Sequence, residues 1–504
     1  MRKLKPNFKP FLSAGLILFV FLFSGCTKTR PGGADTLVVA IPQAPILLDP
    51  RLATDAEGQK IGALLYDGLI ALNENQEVMG HLAEHWEETS PLTYRFYLRR
   101  GILFSNGKEL TSQDVACTFG FIQNAENASP FRGEFEKLQL SVEGPYVFTL
   151  TLREPYAPFF ILLRKGIVSC DQKSGSGPYI LAENQPQRRL TLAANPNYFL
   201  GSPKMPRLVF EVIKDDTTRV LKLMNREVDL VQNAIPSLLI PKILQTKGLS
   251  QKTLPGTTFA YLGLNLKDKV LDNQFVRRAL AYGLDRDAII RYLWKGNAVK
   301  AYSLLAPTNW AYHSGKRTYE HNVKLAKYLL DEAGFPDPDG DGPLPRFSLT
   351  LKTSTVKERI DIANLVAHQL SEIGVQVTVK PYEWGIFSRD LAAGNFQLYT
   401  LTWVGVVEPN HFYNILNSTQ FPPAGANRDF FVNARVDSLT DKARATFNIE
   451  TRKTLYEEVQ SIVAEELPFI PLWYENNVVL YWDDLKEVTL TPEPSYRNFV
   501  RIFR

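Results

Sequence analysis

"IDIANLVAHQLSEIGVQVTVK" (360–380) decides the fold class. Ile362, Val366, Leu370 and Ile373 recur at helical spacing and lay one apolar stripe. Gly374 stands where a left-handed residue closes a helix. With no linker between, Val375, Val377 and Val379 then alternate with polar residues, the period-two signature of a strand. A helix feeding directly into a strand is α/β organisation, with a sheet flanked by helices.

The same grammar extends outward. "NVKLAKYLLDEAGF" (322–335) places Val323, Ala326, Leu330 and Ala333 on one stripe and Gly334 at the cap position. "TLVVAIP" (36–42) reads as a buried strand closed by proline. "TYRFYLR" (93–99) and "YVFTLTL" (146–152) alternate large apolar residues with smaller or polar ones, as strands with one wet face do. No repeat or low-complexity tract stands out, which disfavours solenoids and propellers.

At 504 residues the chain is too long for one core, so two or three lobes are expected. Hydrophobic content of 45% and charged content of 22% are ordinary for a globular protein. The formal charge of +4 sits in the leader: four of the 57 basic residues lie there, leaving 53 against 53 acids. A neutral body offers no general attraction for nucleic acid or anionic lipid.

That leader opens "MRKLKPNFKP" (1–10), basic and free of acids, and continues into an apolar run from Phe11 to Phe23. The run is shorter than the ~20 residues of a membrane span and has the layout of a secretory signal over 1–25. "FSGC" (23–26) resembles a bacterial lipobox, with Phe23 where leucine is usual. Cys26 is then the lipidated first residue, followed by a polar tether over 26–34. The expectation is export to the periplasm or outer cell surface, with anchoring to a bacterial membrane through Cys26. Cys117 and Cys170 are the remaining cysteines; export permits a bridge between them, and free buried thiols are the alternative.

Catalytic constellations are sparse. "HLAEH" (81–85) has the letters of a zinc-peptidase motif, which needs a helix aiming both imidazoles at one metal. Gly80 before it and "EETSPLTY" after it leave room for only a short surface helix. "DPDGDG" (337–342) begins like a calcium loop, but the bidentate acid would fall on Ser348, so a turn is expected. "KSGSGPY" (173–179) lacks the ending of a phosphate loop and the first glycine of a nucleophile elbow. The expectation is a protein that is not an enzyme.

Ordered stretches resemble a known family. The region from "LLDPRLATD" to "SQDVACTF" (47–119), "GSGPYILAENQPQRRLTLAANPNYF" (175–199), "FVRRALAYGLDRDAIIRYLWKGNA" (275–298) and "PFIPLWYENN" (468–477) are similar to the peptide/nickel class, family 5, of ABC-importer solute-binding lipoproteins. The resemblance implies a two-lobed α/β periplasmic-binding-protein fold (type II, cluster C-like) with an extra inserted subdomain. Residues 35–54, 174–262 and 475–504 correspond to lobe I, 55–173 to the insertion, and 263–474 to lobe II. It implies capture of an oligopeptide or similar elongated solute between the lobes by a monomer. Delivery then goes to ABC permease subunits, with no cofactor and no metal.

"EWGIFSRDLAAGNFQLYTLTWVGVVEP" (383–409) resembles the family's cleft segment, with Trp384 and Trp403 at its two tryptophan positions. Backbone amides at Trp403, Val404 and Gly405 are then placed to pair with an extended ligand as an added strand. Val406 and, from the closing strand, Tyr474 complete the expected contacts. The aspartate that oligopeptide binders often carry for the ligand's ammonium would fall near Val406, and the nearest acid is Glu408. Leu391 and Thr400 stand where arginines can receive its carboxylate. Either Glu408 and Arg389 substitute, or the solute is not a free-ended short peptide. A metal chelate using His411 is a further option. From other classes, the alternatives are a secreted zinc-dependent hydrolase using "HLAEH", and an adhesin or scaffold on the same fold.

Overall fold

The computed structural model describes residues 33–73, 76–340 and 342–504. The leader, Cys26 and most of the tether lie outside the described residues. Helix Lys357–Ser371 ends near Gly374 at φ 82° and leads into strand Val375–Tyr382, so the deciding stretch folds as its periodicity requires. Ile362, Val366 and Leu370 are buried. Helix Val323–Glu332 is capped by the Asn322 side chain, which accepts from the Leu325 N–H, and Gly334 follows at φ 87°.

One eleven-stranded mixed sheet runs through the molecule. From one edge its order is Val375–Tyr382, Phe347–Ser354, Leu398–Trp403, Leu249–Leu264 and Phe469–Trp482. It continues through Leu230–Gln232, Thr36–Ile41, Arg207–Val212, Arg189–Ala194 and Tyr179–Gln185, while Ala298–Lys300 pairs with Phe469–Trp482 off this path.

The antiparallel partners Leu249–Leu264 and Phe469–Trp482 reach into both lobes. Leu249–Leu254 pairs with Asn477–Trp482, and Leu249, Leu480 and Trp482 pack in a lobe I core with Ile240 and Ile243. Thr258–Gly263 pairs with Phe469–Glu475, and Leu262 and Leu264 pack in a lobe II core with Leu349 and Val366. The register shifts between Leu254 and Thr258, where Pro255 and Gly256 interrupt the ladder. Beyond this shift, Ala260 and Leu262 pack with Leu349 and Val366, and Phe259 and Tyr261 pack with Phe412 and Phe469. Asn477 Nδ2 fastens the crossover by donating to the carbonyls of Thr491 and Pro492, each at 2.7 Å.

A separate core spans Leu69 to Ile167. Its four-stranded antiparallel sheet has the order Ala83–Ser90, Thr93–Leu98, Val147–Leu152 and Leu138–Gly144. Phe96 and Phe148 stack at 5.2 Å across neighbouring strands, the kind of pair that stabilises a sheet. Cys117, on helix Ser112–Gln123, is bridged to Cys170 with Cα atoms 5.5 Å apart.

The expectation of a short helix at 81–85 is overturned. Strand Ala83–Ser90 begins inside the motif because it pairs with Thr93–Leu98, and His85 stacks on Tyr97 at 4.4 Å. His81 Nε2 lies 2.8 Å from Asp67, so the two imidazoles take separate partners. Among the described residues, no group of three or more His, Cys, Asp or Glu is arranged to hold a metal ion. At the start of "DPDGDG", Asp337 Oδ1 accepts from the N–H groups of Asp339 and Gly340, as in a turn over 337–340.

Candidate functional site

Where the lobes and the inserted subdomain face one another, they enclose two connected recesses. The larger, of about 910 Å³, is walled by the insertion (Ile70, Ile161, Lys165), lobe I (Asn233, Ile235) and lobe II (Trp294, Arg359, Val404, Gly405). The smaller, of about 230 Å³, is lined on one side by Trp403–Glu408 and on the other by Glu134, Tyr156 and Leu162. Val404, Gly405, Glu134, Ile161 and Leu162 border both.

The segment carrying most of the expected contacts leaves strand Leu398–Trp403 at its last residue. Trp403 packs parallel to Tyr261 at 6.4 Å, edge-on to His411 at 4.5 Å, and under the Arg428 guanidinium at 4.9 Å. Its indole is thus held as a rigid wall of the smaller recess. Gly405 turns the chain at φ 66°, a left-handed conformation that glycine takes without strain. The Val406 N–H donates to the Thr257 carbonyl at 3.1 Å, pinning the loop to the crossover. The Val404 and Gly405 amides find no backbone acceptor among the described residues outside the regular ladders.

The remaining expected residues separate. Glu408 borders the smaller recess, but its carboxylate is held by Arg452 at 2.6 Å. Trp384, at the start of helix Trp384–Ala393, is 57% exposed, and Arg389 on the same helix is also exposed; neither lines a recess. Tyr474 lies in the core and lines neither recess. It is buried, and its hydroxyl donates to the carbonyls of Ser303 and Leu305. The substitution of Glu408 and Arg389 for a missing charge pair therefore finds no geometric support.

Several residues on or just behind the walls gave no local signal. Arg359 Nη1 donates to Glu475 Oε1 at 2.9 Å on the wall of the larger recess, joining residues far apart in sequence. Buried Asp67 receives Arg497 Nη1 at 2.7 Å; burial pushes its carboxyl up, and Arg497 and His81 more than offset this, holding it below its ordinary value. Burial and the Arg428 charge push the His411 imidazole down to about 4, so it is neutral at physiological pH. His411 Nε2 is buried with no hydrogen-bond partner. Burial and neighbouring Arg164 push the Lys165 ammonium down to about 8, against the opposing pull of Glu134.

The insertion also touches lobe II directly. The Ala157 N–H donates to the Arg444 carbonyl at 2.7 Å, and Asn309 Nδ2 donates to Gln76 Oε1 at 3.1 Å. Phe447 of lobe II packs against the insertion's core, 5.9 Å from Tyr94 and 6.5 Å from Phe159.

A cleft of this kind, enclosed by two lobes and an insertion, matches known proteins along nearly the whole chain. The oligopeptide-binding protein AppA of Bacillus subtilis (strain 168) is 28% identical over 531 aligned positions, covering 97% of each protein. The dipeptide-binding protein of Escherichia coli (strain K12) is 27% identical, covering 86% of this chain and 88% of that protein. The structure of AppA in complex with a nonapeptide superposes with a TM-score of 0.78 at 27% identity, over 93% of this chain and 98% of that one. NikA from Brucella suis in complex with Fe(III)-EDTA gives a TM-score of 0.85 at 21% identity, over 93% and 99%, a likeness of fold. The family model for the middle region of bacterial extracellular solute-binding proteins, family 5, matches residues 77–422, and the chain belongs to that family.

Proposed function

We propose that this protein is the extracytoplasmic receptor of an ABC importer for oligopeptides or a similar elongated solute. The solute is gripped between the lobes, released unaltered to the permease, and needs no catalytic group. The observation that carries this reading is the pair of amides at Val404 and Gly405, which have no backbone acceptor outside the ladders among the described residues and belong to residues lining the recess beside Trp403. An extended backbone laid along them gains main-chain hydrogen bonds, while the recesses receive its side chains. The peptide-binding relatives support the same solute class. In this reading Trp403–Val406 form the contact strip, the crossover at 255–257 and 475–477 is the hinge, and closure favours the form in which a solute touches both walls. The protein acts as a monomer anchored through Cys26.

Native mass spectrometry of the purified mature protein, followed by denaturation, tests this. A heterogeneous set of released short peptides is the expected result. Another small solute in their place corrects the substrate, and steady turnover of any solute overturns the reading.

A metal-chelate passenger is the second reading, favoured by the neutral, unpartnered His411 Nε2 beside the smaller recess. Titration with a nickel–histidine complex, with binding lost in His411→Ala, would support it.

A further inference from the structure

The cations of the larger recess are almost all committed to carboxylates. Lys60 is paired with Glu57, Arg164 with Glu493, Arg359 with Glu475 and Arg497 with Asp67, whose carboxylate the His81 ring also contacts. Lys165 is different. It borders the same recess, yet no carboxylate among the described residues lies within ion-pair distance of its ammonium. Its Nζ rests 3.3 Å from the centre of the Phe131 ring, and the residue is only half-buried. Glu134 and Arg164 influence it through space, and neither makes a contact bond with it. A partly desolvated ammonium whose nearest counter-charge, Glu134, stands out of contact gains when an anion completes it. An aromatic face supplies only part of that compensation.

We propose that Lys165 receives the carboxylate of the bound solute. The inference rests on the peptide reading above and deepens it, selecting free-acid solutes over capped or neutral ones. It also accounts for the Leu391 and Thr400 positions, which supply no cation from lobe II. The solute's negative end is read by the inserted subdomain, in the recess that Val404 and Gly405 also line. The four ion pairs around it leave Lys165 as the cation free to respond to a solute, because recruiting any other would break an existing pair.

The test compares two pools of di- to pentapeptides, one with free C-termini and one C-terminally amidated, against the full mature protein. Binding is read by native mass spectrometry and calorimetry. Lys165→Met is expected to weaken the free-acid pool by about 10- to 100-fold, the range of a lost charge-assisted hydrogen bond, and to leave the amidated pool unchanged. Lys165→Arg, which keeps the charge, is expected to retain most of the preference. Equal losses in both pools would show a structural role and overturn the assignment, as would no loss in either. Wild-type protein that ignores both pools overturns the peptide reading itself, and this inference with it.

Discussion

Gly256 lies against Glu475 so closely that a Cβ built on the glycine would be 2.3 Å from the Glu475 carbonyl oxygen. The two long strands change lobes at this contact, and only a residue without a side chain fits between them. Gly256→Ala is expected to force the strands apart and lower stability by about 1–3 kcal/mol, as overpacking does. Thermal unfolding checks the loss, and small-angle scattering of the solute-free variant checks for altered lobe spacing. An unchanged melting temperature would show that the crossover tolerates a methyl group.

Glu408 and Arg452 form a largely buried pair, with side chains 19% and 9% exposed. Arg452→Met strands the carboxylate beside the smaller recess and is expected to cost about 2–4 kcal/mol. Glu408→Gln in the same chain should recover much of that loss, because the stranded charge is gone. Urea unfolding of both singles and the double measures the coupling; purely additive effects would contradict the pairing.

Asp429 is buried behind the site, accepting from the Tyr399 hydroxyl at 3.0 Å and the Leu264 N–H at 3.2 Å. Burial pushes its carboxyl up to about 7. The folded protein thus keeps a proton that the unfolded chain releases near pH of about 4. The contribution is fully present below that pH and is lost as pH rises through the folded value. Between pH 5 and 8, Asp429→Asn should lose about 2 kcal/mol less stability than wild type. Identical pH dependence in the two proteins would place the proton elsewhere.

The Cys117–Cys170 bridge closes a loop of 53 residues within the insertion. In the chain-entropy account such a bridge stabilises by about 4 kcal/mol, so Cys117→Ser with Cys170→Ser should unfold at markedly lower temperature. Calorimetry should show the shift, and reductant should reproduce it in wild type but not in the double variant.

Elements whose signal is local were legible from sequence. Helix Val323–Glu332 and strand Val375–Tyr382 turn the stripes that periodicity assigned to them toward one core, with Ala326, Leu330 and Val375 fully buried and the others partly so. The strand Ala83–Ser90 was not legible, because most of its residues are exposed and no apolar alternation marks it. Trp473 and Tyr474 point to opposite faces of a strand buried on both, so alternation could not tell a cleft residue from a core residue. Trp384 and Trp403 carry equal sequence signals, and only tertiary placement puts the second against the recess. The isolation of Lys165 is likewise invisible locally, since it follows from what five other basic residues are doing.

Phe447 gives the lobes an energetic asymmetry. Its ring is lodged among Tyr94 and Phe159 in the insertion, so spreading the halves apart must wet apolar surface worth about 1–2 kcal/mol. Phe447→Ala, which trims a ring lining neither recess, is then expected to speed solute release, read as a faster dissociation rate, and an unchanged rate would show that this contact does not govern opening.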